Sequence, residues 1–273
     1  MDVIMDTIER EQTITPDGET PAYRFERVGH LGTDTLPVRG NTYPGKSCGL
    51  SRCAFRPSDD SMIMPFLIPS NAMAAVELGH VKRLLKGLPG QSDRAKRAAK
   101  LSEEIEAAVW KHGVVEHPQC GKIFAYEVDG FGSWYFMDDA NIPSLLGLPY
   151  LGFCSNQNEI YRNTRRALLS EHNPFYSIGT AGRGIGGPHV GPGHIWPMSI
   201  IVQALTSEDE NEVRECLSML KATHGGTGWM HETFWKDDPT RFTRKWFAWV
   251  NTLFGELILH VEKKWPGLLQ SEM

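Results

Sequence analysis

Apolar residues recur at helical spacing in one segment of this chain after another, and nowhere do those segments alternate with strands in a βαβ pattern. A parallel sheet is therefore not expected, and helices packed side by side are. The clearest segment runs from Ser92, read as a cap, to Gly113, which stops it; Leu101, Ile105, Ala108 and Val109 fall on one face between them. Ile4, Ile8 and Glu11 read as the last turns of an earlier helix, and residues 13–50 as a long loop rich in Gly, Pro and Thr. A helix is expected from Pro69 to Lys86 with Met73, Val76 and Leu84 on its buried face. Further helices are expected over 141–148, 157–170 and Trp196 to Leu205. Another follows a Ser207/Glu210 capping box, with Val213, Leu217 and Leu220 on one face and Gly225-Gly226 at its end. The last spans about Arg241 to Lys264, with Trp246, Trp249, Leu253, Leu257 and Val261 on one stripe. Between them, Tyr126-Glu127-Val128, Asp129-Gly130 and Ser133-Trp134-Tyr135-Phe136 read as a β-hairpin, and 179–194 as a Gly-rich loop. No internal repeat of solenoid length is present.

Composition excludes several classes. The 28 Lys and Arg against 33 Asp and Glu leave a net charge of −5 with no basic stripe, so no nucleic-acid partner is expected. No uninterrupted apolar run approaches the roughly 20 residues of a membrane span. The first residues, Met1 to Asp6, carry neither the basic nor the apolar region of a signal peptide, and no Asn-x-Ser/Thr sequon occurs. Cys48, Cys53, Cys120, Cys154 and Cys216 are odd in number and scattered; free thiols are expected in preference to a Cys48–Cys53 bridge. The 8 Trp and 27 Gly suit a carbohydrate pocket shaped by loops.

Four clusters of residues can carry chemistry. In Arg56-Pro57-Ser58-Asp59-Asp60, adjacent carboxylates beside an arginine suit a general acid or a hydroxyl-orienting group, or simply a capping turn with an ion pair. In Gly228-Trp229-Met230-His231-Glu232-Thr233-Phe234-Trp235, a carboxylate framed by aromatic rings suits proton transfer to a stacked pyranose, or an aromatic core with one satisfied acid. Met137-Asp138-Asp139-Ala140-Asn141-Ile142-Pro143 resembles a helix entry that spends one aspartate as a cap and leaves the other for a pocket. The fourth joins Gly186-Gly187-Pro188-His189 to His194 and Trp196. A zinc site from His189, His194, His224 and His231 is not expected, since no helical His pair or Cys-x-x-Cys supports it. The glycines lack the Gly-Lys-Ser/Thr ending of a phosphate loop.

These clusters form part of one ordered series. Arg56-Pro57-Ser58-Asp59-Asp60, Phe66-Leu67-Ile68-Pro69-Ser70-Asn71 and Met137-Asp138-Asp139-Ala140-Asn141-Ile142-Pro143-Ser144 are followed by Trp196-Pro197-Met198-Ser199, Gly228-Trp229-Met230-His231-Glu232 and Phe242-Thr243-Arg244-Lys245-Trp246-Phe247-Ala248-Trp249. From about Tyr23 to about Glu256 the chain resembles glycoside hydrolase family 125. The resemblance implies an all-α fold, an (α/α)6 toroid of helical hairpins, with 1–273 forming a single domain that is the C-terminal portion of the catalytic domain. The toroid is expected to be incomplete at the N-terminus, because the family's Trp-Leu-Arg-Asp motif is not in this sequence, and to carry one small β-hairpin insertion. The resemblance further implies an inverting exo-α-1,6-mannosidase acting on an α-mannoside or a mannose-containing glycan, with no metal and no other cofactor. It places the base on Glu232 and the acid on Asp59 or Asp60, with a lean towards Asp59, their carboxyl groups roughly 6.5–9.5 Å apart to leave room for a water. Trp229 and Phe234 would desolvate Glu232, which suits an acid, so the residues alone permit swapped roles. Arg56, His231, Asp139, Asn141, His189, His194 and Trp229 are the candidate mannose contacts. Two other readings stay open: a glucosidase on the same toroid, and an impaired or merely sugar-binding fragment.

Overall fold

The computed structural model describes residues 1–13, 25, 26, 29, 32, 35, 36, 38 and 40–270; much of the loop expected over 13–50 lies outside them. Among the described residues the chain is mostly helical, with eight helices and ten short strands in four small sheets. It divides into two compact units, Met1–Phe136 with Leu151–Thr164 and Met137–Tyr150 with Arg165–Met273. None of the described helices is long and apolar enough to cross a membrane.

The first unit is built on a hairpin of α2 (Ile68–Lys86) and α3 (Ser92–His112). Small residues make the close approach: Ala72 and Ala75 on α2 and Ala95 and Ala98 on α3 are buried, and the Ser102 hydroxyl donates to the Ala75 carbonyl across the seam at 2.7 Å. The buried face of α2 is therefore Ile68, Ala72, Ala75 and Leu78. Met73 and Leu84, expected inside, are exposed, because the side chains that fit a tight seam are the alanines rather than the larger hydrophobes. The face expected for α3 is buried as read, although Gln91 rather than Ser92 occupies the cap position, with no side-chain cap bond. Helix α1 (Asp2–Gln12) lies against α3, sinking Met5 and pairing Asp2 with Arg94 at 2.6 Å. The expected hairpin is β4 (Glu127–Val128) with β5 (Trp134–Tyr135), and β1 (Phe66–Leu67) adds a third strand along β4. A second pair, β2 (Val114–His117) with β3 (Gly121–Phe124), follows α3 directly.

Helix α4 (Glu159–Leu168) forms within the expected 157–170, but 141–148 is a run of turns. Its N–H groups at Leu145 and Leu146 are taken by the Asp138 carboxylate at 2.8 and 2.9 Å, so a side chain replaces the helical ladder. In the second unit α5 (Pro197–Leu205) is buried almost all round, as a helix apolar on every side must be, and packs on α6 (Glu210–Ala222) and α7 (Ala248–Lys264). The cap of α6 is Asp209, whose carboxylate accepts from Asn211 N at 2.9 Å; Ser207 bonds Glu212 instead of closing the expected box. α7 begins at Ala248 rather than Arg241, because β10 (Asp238–Thr243) is paired to β9 (Thr233–Trp235), which in turn pairs β8 (His194–Ile195). Leu253, Leu257 and Val261 are buried as expected, whereas Trp246 and Trp249 are exposed. All five cysteines are free, and burial pushes the Cys154 and Cys216 thiols up to about 12.

The Gly-rich segment is also more ordered than a loop, since β7 (Arg183–Ile185) lies within it and pairs with β6 (Tyr176–Ile178), just before it. A side chain on Gly186 would bring its Cβ to 2.2 Å from the His194 carbonyl oxygen. Gly186→Ala is accordingly expected to destabilise the protein by about 1–3 kcal/mol, the usual cost of overpacking, read as a lowered denaturation midpoint.

Candidate active site

The two adjacent aspartates sit on a tight reversal of the first unit. Phe55 bridges Ser61, Arg56 N donates to the Asp60 carbonyl at 2.8 Å, and Asp59 N donates back to the Arg56 carbonyl at 3.0 Å. Closing so short a loop puts Asp59 at φ 70, a left-handed conformation that aspartate tolerates better than most side chains. The result separates the two carboxylates. Asp60 is buried and its Oδ2 accepts from the Ser58 hydroxyl at 3.0 Å, whereas Asp59 is exposed. Arg56, buried beside them, turns away to Glu127: Nε and an Nη atom reach Oε1 at 2.8 and 2.7 Å. The other oxygen of Glu127 accepts from Ile63 N and Met64 N at 2.9 and 2.8 Å, and the Arg56 guanidinium lies over the Tyr126 ring at 5.5 Å. Glu127 escaped the sequence reading; its one signal was a charge in an otherwise apolar strand.

Glu232 lies in the second unit, one residue before β9, and is almost fully buried. The last rung of the β9–β10 ladder pairs Thr233 with Thr243, and their hydroxyls meet at 2.7 Å. The antiparallel register thus brings Arg244, one residue beyond β10, opposite Glu232, and its Nε stands 3.2 Å from Glu232 Oε1. His194 of β8 pairs with Trp235 in the ladder, and its side chain reaches back along β9, Nδ1 lying 3.0 Å from the Thr233 hydroxyl; burial and then the charge of Arg241 hold this imidazole below its ordinary range, which favours the neutral form. His231 frames the loop: Nδ1 lies 2.7 Å from the Lys245 carbonyl oxygen, Nε2 lies 3.0 Å from that of His224, and the ring stacks on Phe242 at 3.7 Å. Met230 is clamped through both backbone groups by Asn251 of α7. Trp229, between these anchors, is left half exposed.

Asp139 and Asn141 are buried together, Asp139 Oδ1 accepting from Asn141 N and Nδ2 at 3.0 and 2.8 Å. Gly187 passes so close that a Cβ there would stand 3.3 Å from the same oxygen. Asp138 is the aspartate spent on a turn, and burial pushes its carboxyl up to about 8. His189 is half-buried, its ring 6.4 Å from Trp196, which itself meets Phe247 edge to face.

With this geometry in hand, the comparisons are decisive on kinship. The family model described as metal-independent alpha-mannosidase (GH125) matches residues 1–259. The chain belongs to that family. It is 45% identical to the meiotically up-regulated gene 157 protein of Schizosaccharomyces pombe, across 98% of this chain and 54% of that one. A Streptococcus pneumoniae metal-independent α-mannosidase, solved in a non-productive complex with α-1,6-mannobiose, superposes with a TM-score of 0.90 at 39% identity, covering 95% of this chain and 60% of its own. A bacterial glucoamylase bound to acarbose matches with a TM-score of 0.53 at 13% identity over 72% of this chain and 33% of that one, a likeness of fold alone. The chain spans about half the length of the curated relative it matches.

Proposed function

We propose that this chain forms part of an exo-acting α-mannosidase of the (α/α)6 toroid class, which removes terminal α-1,6-linked mannose from a glycan with inversion and without a metal or other cofactor. The observation that carries the reading is the close likeness to the pneumococcal enzyme, whose complex holds α-1,6-mannobiose. Glu232 is the base and Asp59 the acid. Asp59 protonates the glycosidic oxygen as the bond to C1 breaks; a water attacks C1 from the opposite face and gives its proton to Glu232. The structure supports Glu232 as the base because its one ion-pair partner among the described residues is a guanidinium. That is the partner of a carboxylate anion, the form in which a base works. Asp59 is preferred to Asp60 because Asp60 is buried and bonded within its own turn, whereas Asp59 is presented outward on a strained backbone, and such strain concentrates at functional positions.

Among the other candidates, Trp229 offers an exposed face for stacking, and His194 Nε2, Asp139, Asn141 and His189 serve the sugar hydroxyls. Arg56 and His231 act as frame, held by Glu127 and by loop carbonyls.

Asp59→Asn is expected to lower kcat on α-1,6-mannobiose about 10²–10⁴-fold, the range of acid catalysis, with an unchanged denaturation midpoint. Asp60→Asn is expected to lower the midpoint instead. The reverse pattern moves the acid to Asp60. Assays on α-1,6-, α-1,2- and α-1,3-mannobiose beside maltose test the linkage and exclude a glucosidase. Binding of mannobiose without turnover by this chain would establish the sugar-binding reading.

A further inference from the structure

Only two non-glycine residues among those described hold a left-handed backbone: Asp59, the proposed acid, and Arg244, at φ 40. We propose that Arg244 is a positioning residue that fixes the carboxylate of Glu232, a role resting on the assignment of Glu232 as the base. Three observations combine. The Thr233–Thr243 rung, tied by its own hydroxyl pair and by His194, sets Arg244 across the ladder from Glu232, where cross-strand side chains meet. The positive φ then ends the strand at Arg244, and its guanidinium, over the Phe247 ring at 5.4 Å, reaches back to Oε1. Finally, no hydrogen bond to the Glu232 carboxylate is present among the described residues, so this ion pair is its one polar contact there, although its side chain is only 7% exposed. A buried carboxylate so sparsely held takes its orientation from the one cation that touches it, leaving Oε2 to face a water.

The position allows a clean test. Gly accepts the left-handed backbone without strain, so Arg244→Gly removes the side chain and spares the turn. On α-1,6-mannobiose, Arg244→Gly is expected to lower kcat about tenfold or more, within the range lost when a catalytic base is misplaced, with KM changed little. Arg244→Lys should retain part of the rate, and millimolar guanidinium should restore part of it to Arg244→Gly. Wild-type kcat in Arg244→Gly, or an equal loss that neither lysine nor guanidinium relieves, overturns the proposal. An activity-free arm separates it from the functional reading. The ¹⁵N Nε–H resonance of Arg244, assigned by its loss in Arg244→Lys, should shift in Glu232→Gln. An unmoved resonance overturns the pairing. A shifted resonance in a chain that hydrolyses no mannoside upholds the pairing and counts against the base assignment alone.

Discussion

Glu232→Gln is expected to reduce kcat on α-1,6-mannobiose by about 10²–10⁴-fold while the disaccharide still binds with little change in affinity. The amide keeps the shape of the carboxylate and can still place an oxygen beside Arg244, but it cannot take a proton from the attacking water. Binding is spared because the contacts proposed for the sugar, Trp229, His194, Asp139, Asn141 and His189, are side chains other than Glu232, and the substitution leaves them in place. The loop itself should hold: His231 remains fixed by the Lys245 and His224 carbonyls and Met230 by Asn251, so the denaturation midpoint should move little. Calorimetric titration with mannobiose beside initial-rate assays reads both quantities. A variant with near wild-type turnover removes Glu232 from the chemistry. A variant that loses binding and turnover together makes Glu232 a sugar ligand and sends the search for the base elsewhere.

The helices were largely legible from the sequence, because amphipathic periodicity is a local property; Leu101, Ile105, Ala108 and Val109 lie buried where their spacing put them. What periodicity could not convey was competition from partners distant in sequence. The last helix is expected from about Arg241, yet Phe242 and Thr243 pair with Phe234 and Thr233, and that ladder removes them from the helix. Residues 141–148 offer a helix entry at Asn141 and Pro143, but Asp138 captures the N–H groups a helix would use. Met73 and Leu84 were misplaced because hydrophobicity ranks them above alanine, whereas a close helix seam selects for small volume. At the candidate site, the motifs single out Glu232 and the aspartate pair, but adjacency in sequence does not divide Asp59 from Asp60; the backbone reversal leaves Asp59 exposed and Asp60 buried, the difference on which the proposed acid rests. Glu127 stands in the expected hairpin and Arg244 inside the Phe242–Trp249 motif, but neither position carries a role by itself, since each acquires its part from a partner on another strand or turn.

Glu127→Gln is expected to cost about 3–5 kcal/mol of stability, the price of breaking a buried ion pair on one side. The Glu127 side chain is fully buried, and its two oxygens face only donors: the Arg56 guanidinium on Oε1 and the Ile63 and Met64 N–H groups on Oε2. An amide in its place must aim its NH₂ at one of these sets whichever way it flips, so a donor confronts a donor, and the buried Arg56 guanidinium loses the Glu127 carboxylate. The loss should appear as a lower urea midpoint at an unchanged slope. A double replacement, Arg56→Met with Glu127→Met, separates the ion pair from the backbone bonds. If the charges alone matter, apolar replacement should be nearly neutral. The orphaned N–H groups of Ile63 and Met64 are instead expected to keep the double variant destabilised, by about 1–3 kcal/mol for each buried donor left unpaired. The same carboxylate spans the turn that presents Asp59, gripping residue 56 on one side and residues 63 and 64 on the other. Loosening it should therefore depress turnover even where Glu127→Gln remains folded, and a variant with both full stability and full activity would show that the turn holds Asp59 without it.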